Sequence, residues 1–173
     1  FPGAGITITN GIPSGVWLLV GEPGVGKSTY CKQFILEGLR VGKSGVYVST
    51  EESPDTLIQT MKSFDPPLED ELTNLLKIVD CYSWRVGSIS DSQAVVANPS
   101  NLNDTNIAIE NAKRGMHNFR YVFDSTSSLA LSAGASATQK FLQISIARLR
   151  SAQASGIYVV ERGAHDELFM NYL

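Results

Sequence analysis

The chain is 173 residues long, 43% hydrophobic and 18% charged, with a net charge of −3. One domain of this size can bury a real core. The absence of a basic excess, the longest cationic run being Lys113-Arg114, argues against a nucleic-acid or anionic-membrane surface overall, and no apolar stretch approaches the ~18 residues of a membrane span.

In chain order, Val16-Trp17-Leu18-Leu19-Val20 is an apolar run that predicts a buried first strand. It leads into Gly21-Glu22-Pro23-Gly24-Val25-Gly26-Lys27-Ser28, after which Cys31, Phe34, Ile35, Gly38 and Leu39 share one helical face and Gly42 offers a C-cap. Gly45–Thr50 predicts the second strand. Ser53-Pro54 predicts an N-cap with proline at the first helical position, Leu57, Met61 and Phe64 a stripe, and Asp65-Pro66-Pro67 the stop. Leu75–Asp80 reads as the third strand, and residues 83–101, rich in Ser, Gly, Asn and Asp, as a long surface loop. A helix follows over about 102–115, ending at Gly115, and then Tyr121-Val122-Phe123-Asp124 as a fourth strand ending in an acid. Ser125 to Ala137 reads as a Ser/Ala/Gly loop. Leu142, Ile146 and Leu149 mark a helix capped by Gly156, before a fifth strand at Ile157–Val160. Alternating apolar strands and helices predict an α/β fold, a mostly parallel sheet flanked by helices on both faces.

The sequence G-x-x-x-x-G-K-S at Gly21–Ser28 is a phosphate-binding loop in its required setting, between a strand and a helix. Its glycines let backbone N–H groups converge on an anion, and the helix N-terminus adds partial positive charge. Glu22, Pro23, Gly24, Val25, Gly26, Lys27, Ser28 and Thr29 are therefore expected to wrap the phosphates of a nucleoside triphosphate. Lys27 reaches the β- and γ-phosphates, and the Ser28 hydroxyl ligates Mg²⁺. No N-K-x-D base-reading motif is present, which favours ATP over GTP.

Ligands of such sheets sit at the carboxyl ends of the strands. That gathers the phosphate loop, Glu51-Glu52, Asp124-Ser125 and Glu161-Arg162 into one constellation. Asp124, an acid directly after an apolar strand, has the form of a Walker B motif and is expected to hold Mg²⁺; its bland alternative is a turn-initiating Asp. Glu51 and Glu52 carry two readings. One of them orients and deprotonates the attacking water, or both stabilise the positive end of the following helix.

Cys31 and Cys81 lie fifty residues apart with no C-x-x-C partner, so reduced thiols of a cytoplasmic protein are expected, with Cys31 in the core and Cys81 packed after a strand. His117 and His165 have no metal-ligand spacing and read as loop or surface residues. Phe1-Pro2-Gly3 has neither a basic n-region nor a long apolar core, so no signal peptide is expected, and without an initiator Met the sequence reads as a piece of a longer chain.

Asn10-Gly11-Ile12-Pro13-Ser14-Gly15, the loop Gly21–Ser28, Tyr47-Val48-Ser49-Thr50-Glu51-Glu52-Ser53-Pro54, Phe123-Asp124-Ser125 and Val160-Glu161-Arg162 together resemble the KaiC-like branch of the RecA/RadA ATPase superfamily. The resemblance covers nearly the whole chain. It implies a RecA-like P-loop NTPase core that hydrolyses ATP with Mg²⁺, with the catalytic base among Glu51 and Glu52, and assembly into hexameric rings or filaments. It leaves Ser125 either as a residue ordering the active-site water or as a turn cap. Related domains continue into further strands and a basic trio serving a neighbour's phosphates. No such trio is present, so the single domain 1–173 reads as a fragment, and the role of Arg162 stays open.

Two functions follow. The first is an ATPase whose hydrolysis drives or times a conformational change in an assembly or signalling protein. The alternative is a recombination accessory ATPase acting on DNA. The segment 125–137 where such a module would meet DNA has no Lys or Arg, and no aromatic, which is poor material for phosphate tracking or stacking. Lys27 is the one cation the motif sets against the phosphates. Lys27→Ala is expected to cost a few kcal/mol and abolish tight ATP binding or turnover, measured by nucleotide titration and phosphate release.

Overall fold

The computed structural model describes residues 14–88 and 94–162. Phe1–Gly3, Asn10–Pro13 and His165, named above, lie outside the described residues. The elements run β1 (Val16–Gly21), α1 (Lys27–Arg40), β2 (Gly45–Ser49), α2 (Pro54–Phe64), a 3-10 turn (Pro66–Leu68), α3 (Glu69–Asn74), β3 (Leu76–Asp80) and α4 (Ser83–Val86). They continue with β4 (Ala94–Val95), α5 (Leu102–Ala112), β5 (Arg120–Asp124), α6 (Thr126–Ala133), α7 (Ala135–Ser151) and β6 (Ser155–Glu161).

The six strands form one sheet in the order β1-β6-β5-β2-β3-β4, and every pairing is parallel. Successive side chains on a strand point to opposite faces, and each face carries its own core. Tyr47, Val122, Ile157 and Val159 pack with Cys31, Ile35 and Leu39 of α1 and with Leu57 and Met61 of α2. Val46, Val48, Tyr121, Phe123, Tyr158 and Val160 pack with Leu129 of α6, Leu142 and Leu149 of α7, and Ile109 of α5. The expected layering, helices on both faces of a parallel sheet, is the one observed.

Local signals explain several boundaries. Ser53 caps α2 by accepting from the Thr56 N–H, with Pro54 in the first turn. Leu57 and Met61 are buried and Phe64 is exposed, so the stripe is shorter than its spacing suggests. At the end of α1, Gly42 takes φ 73°, the Lys43 N–H reaches the Gly38 carbonyl and the Gly42 N–H reaches that of Leu39. That is a Schellman cap, with the left-handed residue where glycine costs nothing.

Four expectations are corrected. Ser125–Ala137 is not a loop but α6 and the start of α7. Its small polar residues pack because the sheet satisfies their hydroxyls: Thr126 donates to the Val159 carbonyl (2.8 Å), and Ser127 accepts from the Glu161 N–H (2.9 Å). Residues 83–101 contain α4 and the two-residue β4, pieces too short for periodicity to reveal, so the described residues form six strands rather than the five expected. Asp80 fixes the turn into α4, accepting from the N–H groups of Tyr82 and Ser83 and from the Ser83 hydroxyl. Gly156 does not cap α7; it lies within β6, where an added Cβ would come within 3.2 Å of Leu149. The cap belongs to Gln153 (φ 54°), with the Ala154 N–H on Leu149 and the Gln153 N–H on Arg150.

Both cysteines are buried free thiols; burial pushes Cys81 up to about 12 and raises Cys31 as well, the Asp124 carboxylate adding to that rise. Gln153 holds a conformation that disfavours a Cβ. Gln153→Gly is expected to raise stability by about 0.5–1 kcal/mol, read as a higher urea midpoint at unchanged slope.

Candidate functional site

The site is built where β1, β2, β5 and β6 end side by side. β1 stops at Gly21, and α1 starts at Lys27 with Gly26 (φ 92°) as its N-cap residue and Gly24 (φ 78°) turning the loop between them. Those two left-handed conformations favour residues without a Cβ. Lys27 is buried, and its ammonium donates to the carbonyls of Gly21 (2.9 Å) and Glu22 (2.7 Å), while Glu22, Pro23, Gly24, Val25, Gly26 and Thr29 are exposed and Ser28 is half-buried. The end of β6 closes on the loop, since the Arg162 N–H donates to the Gly21 carbonyl.

Thr50 stitches the acid-bearing turn to the end of β5. Its N–H donates to the Asp124 carbonyl (2.8 Å), its hydroxyl donates to the same carbonyl (3.1 Å), and that hydroxyl accepts from the Ser125 N–H (2.8 Å). The peptide bond between Asp124 and Ser125 is cis. Arg85 of α4 donates to the Thr50 carbonyl from outside (3.0 Å).

Asp124 is almost fully buried, and the Tyr47 hydroxyl donates to its Oδ2 at 2.6 Å. Burial raises the Tyr47 phenol well above its ordinary value, and the neighbouring Asp124 carboxylate raises it further, so Tyr47 stays a donor. One carboxylate oxygen is thereby fixed, and among the described residues no hydrogen bond holds the other. Among the described residues no cluster of three His, Cys, Asp or Glu could hold a metal alone. The oxygen donors at this edge include the Ser28 hydroxyl and the Asp124 carboxylate. That sparse oxygen set suits Mg²⁺, which keeps waters and shares phosphate oxygens, and does not suit a protein-caged transition metal.

The two glutamates part company. Beyond Ser49 the chain bends, and Glu51 accepts hydrogen bonds from Ser125 (3.3 Å) and from Ser128 of α6. Glu52 turns to α1 and pairs with Lys32 at 2.7 Å. The structure thus gathers the phosphate loop, Glu51, Asp124 and Ser125 at one edge, while Glu52 faces a different partner. Ser125 also serves as the N-cap of α6. His117 is exposed. It borders an open cleft of about 680 Å³ with Lys113, Arg114 and Arg148, near the opposite ends of the strands, where Glu110 pairs with both Lys113 and Arg148.

Tyr47, Thr50 and Lys32 escaped the sequence reading. Lys32 left one usable trace, a cation between Cys31 and, one turn on, the apolar Ile35 and Leu36, which demands a partner.

A glycine loop between the first strand and its helix, and an acid closing a central strand of an all-parallel sheet, define a RecA-like P-loop nucleotide-binding fold. A family model described as the KaiC ATPase matches residues 4–172, and the chain belongs to that family. A UPF0273 protein of Pyrococcus furiosus is 32% identical over 146 residues, covering 83% of this chain and 59% of that protein. UPF0273 proteins of Sulfurisphaera tokodaii (32% over 147 residues, 83% and 52% covered) and Thermotoga maritima (30% over 148 residues, 83% and 60% covered) are similar. The chain thus spans between half and two-thirds of the length of these relatives. No described helix is long and apolar enough to cross a membrane.

Removing the Tyr47 hydroxyl leaves a buried carboxylate oxygen without its donor. Tyr47→Phe is expected to destabilise the fold by about 1–3 kcal/mol, measured by denaturant unfolding.

Proposed function

We propose that this domain binds ATP with Mg²⁺ in the cytoplasm and hydrolyses its terminal phosphoanhydride, with Glu51 as the general base. The observation that carries the reading is the placement of Glu51 on the turn tied to Asp124-Ser125 by Thr50, at the same sheet edge as the Lys27 loop. Binding exchanges the Lys27 ammonium from the Gly21 and Glu22 carbonyls to the β- and γ-phosphates. The N–H groups from Glu22 to Thr29 then surround the phosphate chain, Pro23 shaping the loop without donating.

Ser28 and Asp124 hold the magnesium, which when bound neutralises charge developing on the bridging and terminal oxygens. Glu51 leaves the Ser125 and Ser128 hydroxyls to accept a proton from the attacking water. The water oxygen bonds to the γ-phosphorus as the bond to the β–γ bridging oxygen breaks, and ADP departs with that electron pair. Ser125, beside both Glu51 and Asp124, is positioned to orient the water.

The nucleotide state is read by a larger assembly, a ring or filament of like chains, and serves assembly or signalling. DNA is not part of the proposal: α6 and the first turn of α7 carry no Lys or Arg, and Leu131, strongly exposed there, is apolar.

Glu51→Gln is expected to preserve ATP affinity and slow turnover by roughly 10²–10⁴, with Glu52→Gln giving the smaller loss; phosphate release and nucleotide titration measure both. Equal, wild-type-like turnover in both variants removes the acids from the chemistry. Asp124→Asn is expected to weaken binding only in the presence of magnesium, because an amide is a poorer partner for a hard dication. An unchanged magnesium dependence returns Asp124 to a turn residue.

A further inference from the structure

Lys32 lies on α1 five residues after Lys27, about 7.5 Å further along the helix axis, so it is not a second phosphate-loop lysine. Its side chain is 9% exposed and that of its partner Glu52 is 19% exposed, with Nζ and Oε1 2.7 Å apart. An ammonium at that depth needs a paired acid, because desolvation without one is prohibitive. Glu52 is held at its backbone as well, where the Ser49 hydroxyl donates to its carbonyl at 2.6 Å. Glu51 is exposed, and the hydroxyls of Ser125 and Ser128 hold it through neutral, exchangeable bonds. The adjacent acids therefore differ in kind: one is committed to a charge, the other is free to turn.

We propose that Lys32 is a positioning residue of the proposed ATPase site, a reading this inference rests on: by neutralising and anchoring Glu52 it removes a bare carboxylate from beside the phosphates and leaves Glu51 as the one acid that faces the attacking water. Without the ammonium, Glu52 repels both the triphosphate and its neighbour. Glu51 is then driven from its place, and the anchor between the acid-bearing turn and α1 is lost. The effect of Lys32 on turnover thus passes through Glu52, and that dependence separates it from a lysine touching nucleotide.

The experiment is a double-mutant cycle in the full domain with Lys32→Met, Glu52→Gln and their combination, reading ATP turnover, ATP affinity and thermal unfolding, with Lys32→Arg as the conservative variant. Lys32→Met is expected to lower turnover at least tenfold. Adding Glu52→Gln is expected to recover most of that loss, to within about threefold of Glu52→Gln alone, and Lys32→Arg is expected to retain most activity. A combined variant no more active than Lys32→Met overturns the proposal: if ATP affinity has fallen equally in both, Lys32 binds nucleotide, and if only the unfolding temperature has fallen, Lys32 is structural. Wild-type-like turnover of Lys32→Met overturns it too. A wild-type protein that binds ATP and turns none over refutes the hydrolysis reading instead. The same cycle in ATP affinity then decides: recovery of binding by Glu52→Gln upholds the neutralising role, and its absence refutes it.

Discussion

The hydroxyl and N–H of Thr50 bind the turn after β2 to the end of β5, and the rest of the site hangs on that junction. Neighbouring parallel strands end at nearly the same level, Ser49 facing Asp124 in register. Parallel pairing alone would leave the chains free to diverge beyond that pair. Thr50 carries the contact further, so Asp124, Ser125 and Glu51 leave the sheet together and not as three independent loops. Arg85 adds a bond to the Thr50 carbonyl from α4 and ties β3 into the same edge.

Burial of Asp124 depends on the same arrangement. A carboxylate with 3% exposure is tolerated because Tyr47, from the adjacent strand and the same sheet face, supplies a donor. Tyr47 is itself in the core between α1 and the sheet, so packing of hydrophobic surface fixes the rotamer that fixes the acid. The chain from sequence to chemistry is short here: strand alternation selects the face, the face selects the partner, and the partner sets which carboxylate oxygen remains open.

Contiguous residues were legible in the sequence, and long-range partnerships were not. The phosphate loop, the Ser53-Pro54 start of α2 and the acid ending β5 all announce themselves within a few positions, because backbone geometry there demands particular residue types. The two-faced parallel sheet was equally legible from its apolar strands. α6 was hidden because its Thr126 and Ser127 look like loop residues until the β6 groups that bond their hydroxyls, 33 and 34 positions away, are known. The Tyr47–Asp124 bond spans 77 positions, and no local pattern records it. Even the acid pair was half-legible: its adjacency was plain, but the division between Glu51 and Glu52 follows from which helix each one meets. The α7 cap misled for a different reason. Gln153 adopts the conformation that glycine prefers, and the nearby Gly156 serves close packing against Leu149.

The lysine of the phosphate loop carries a further consequence. Its ammonium already holds two carbonyl oxygens of its own loop, so an arriving anion must outbid neutral but well-placed competitors. A lone orthophosphate brings limited charge and nothing to grip the remainder of the cradle, whereas a polyphosphate brings several oxygens at once and recovers what the lysine gives up. On the proposed reading, the loop would thereby favour a polyphosphate over a lone orthophosphate before any base or sugar is met.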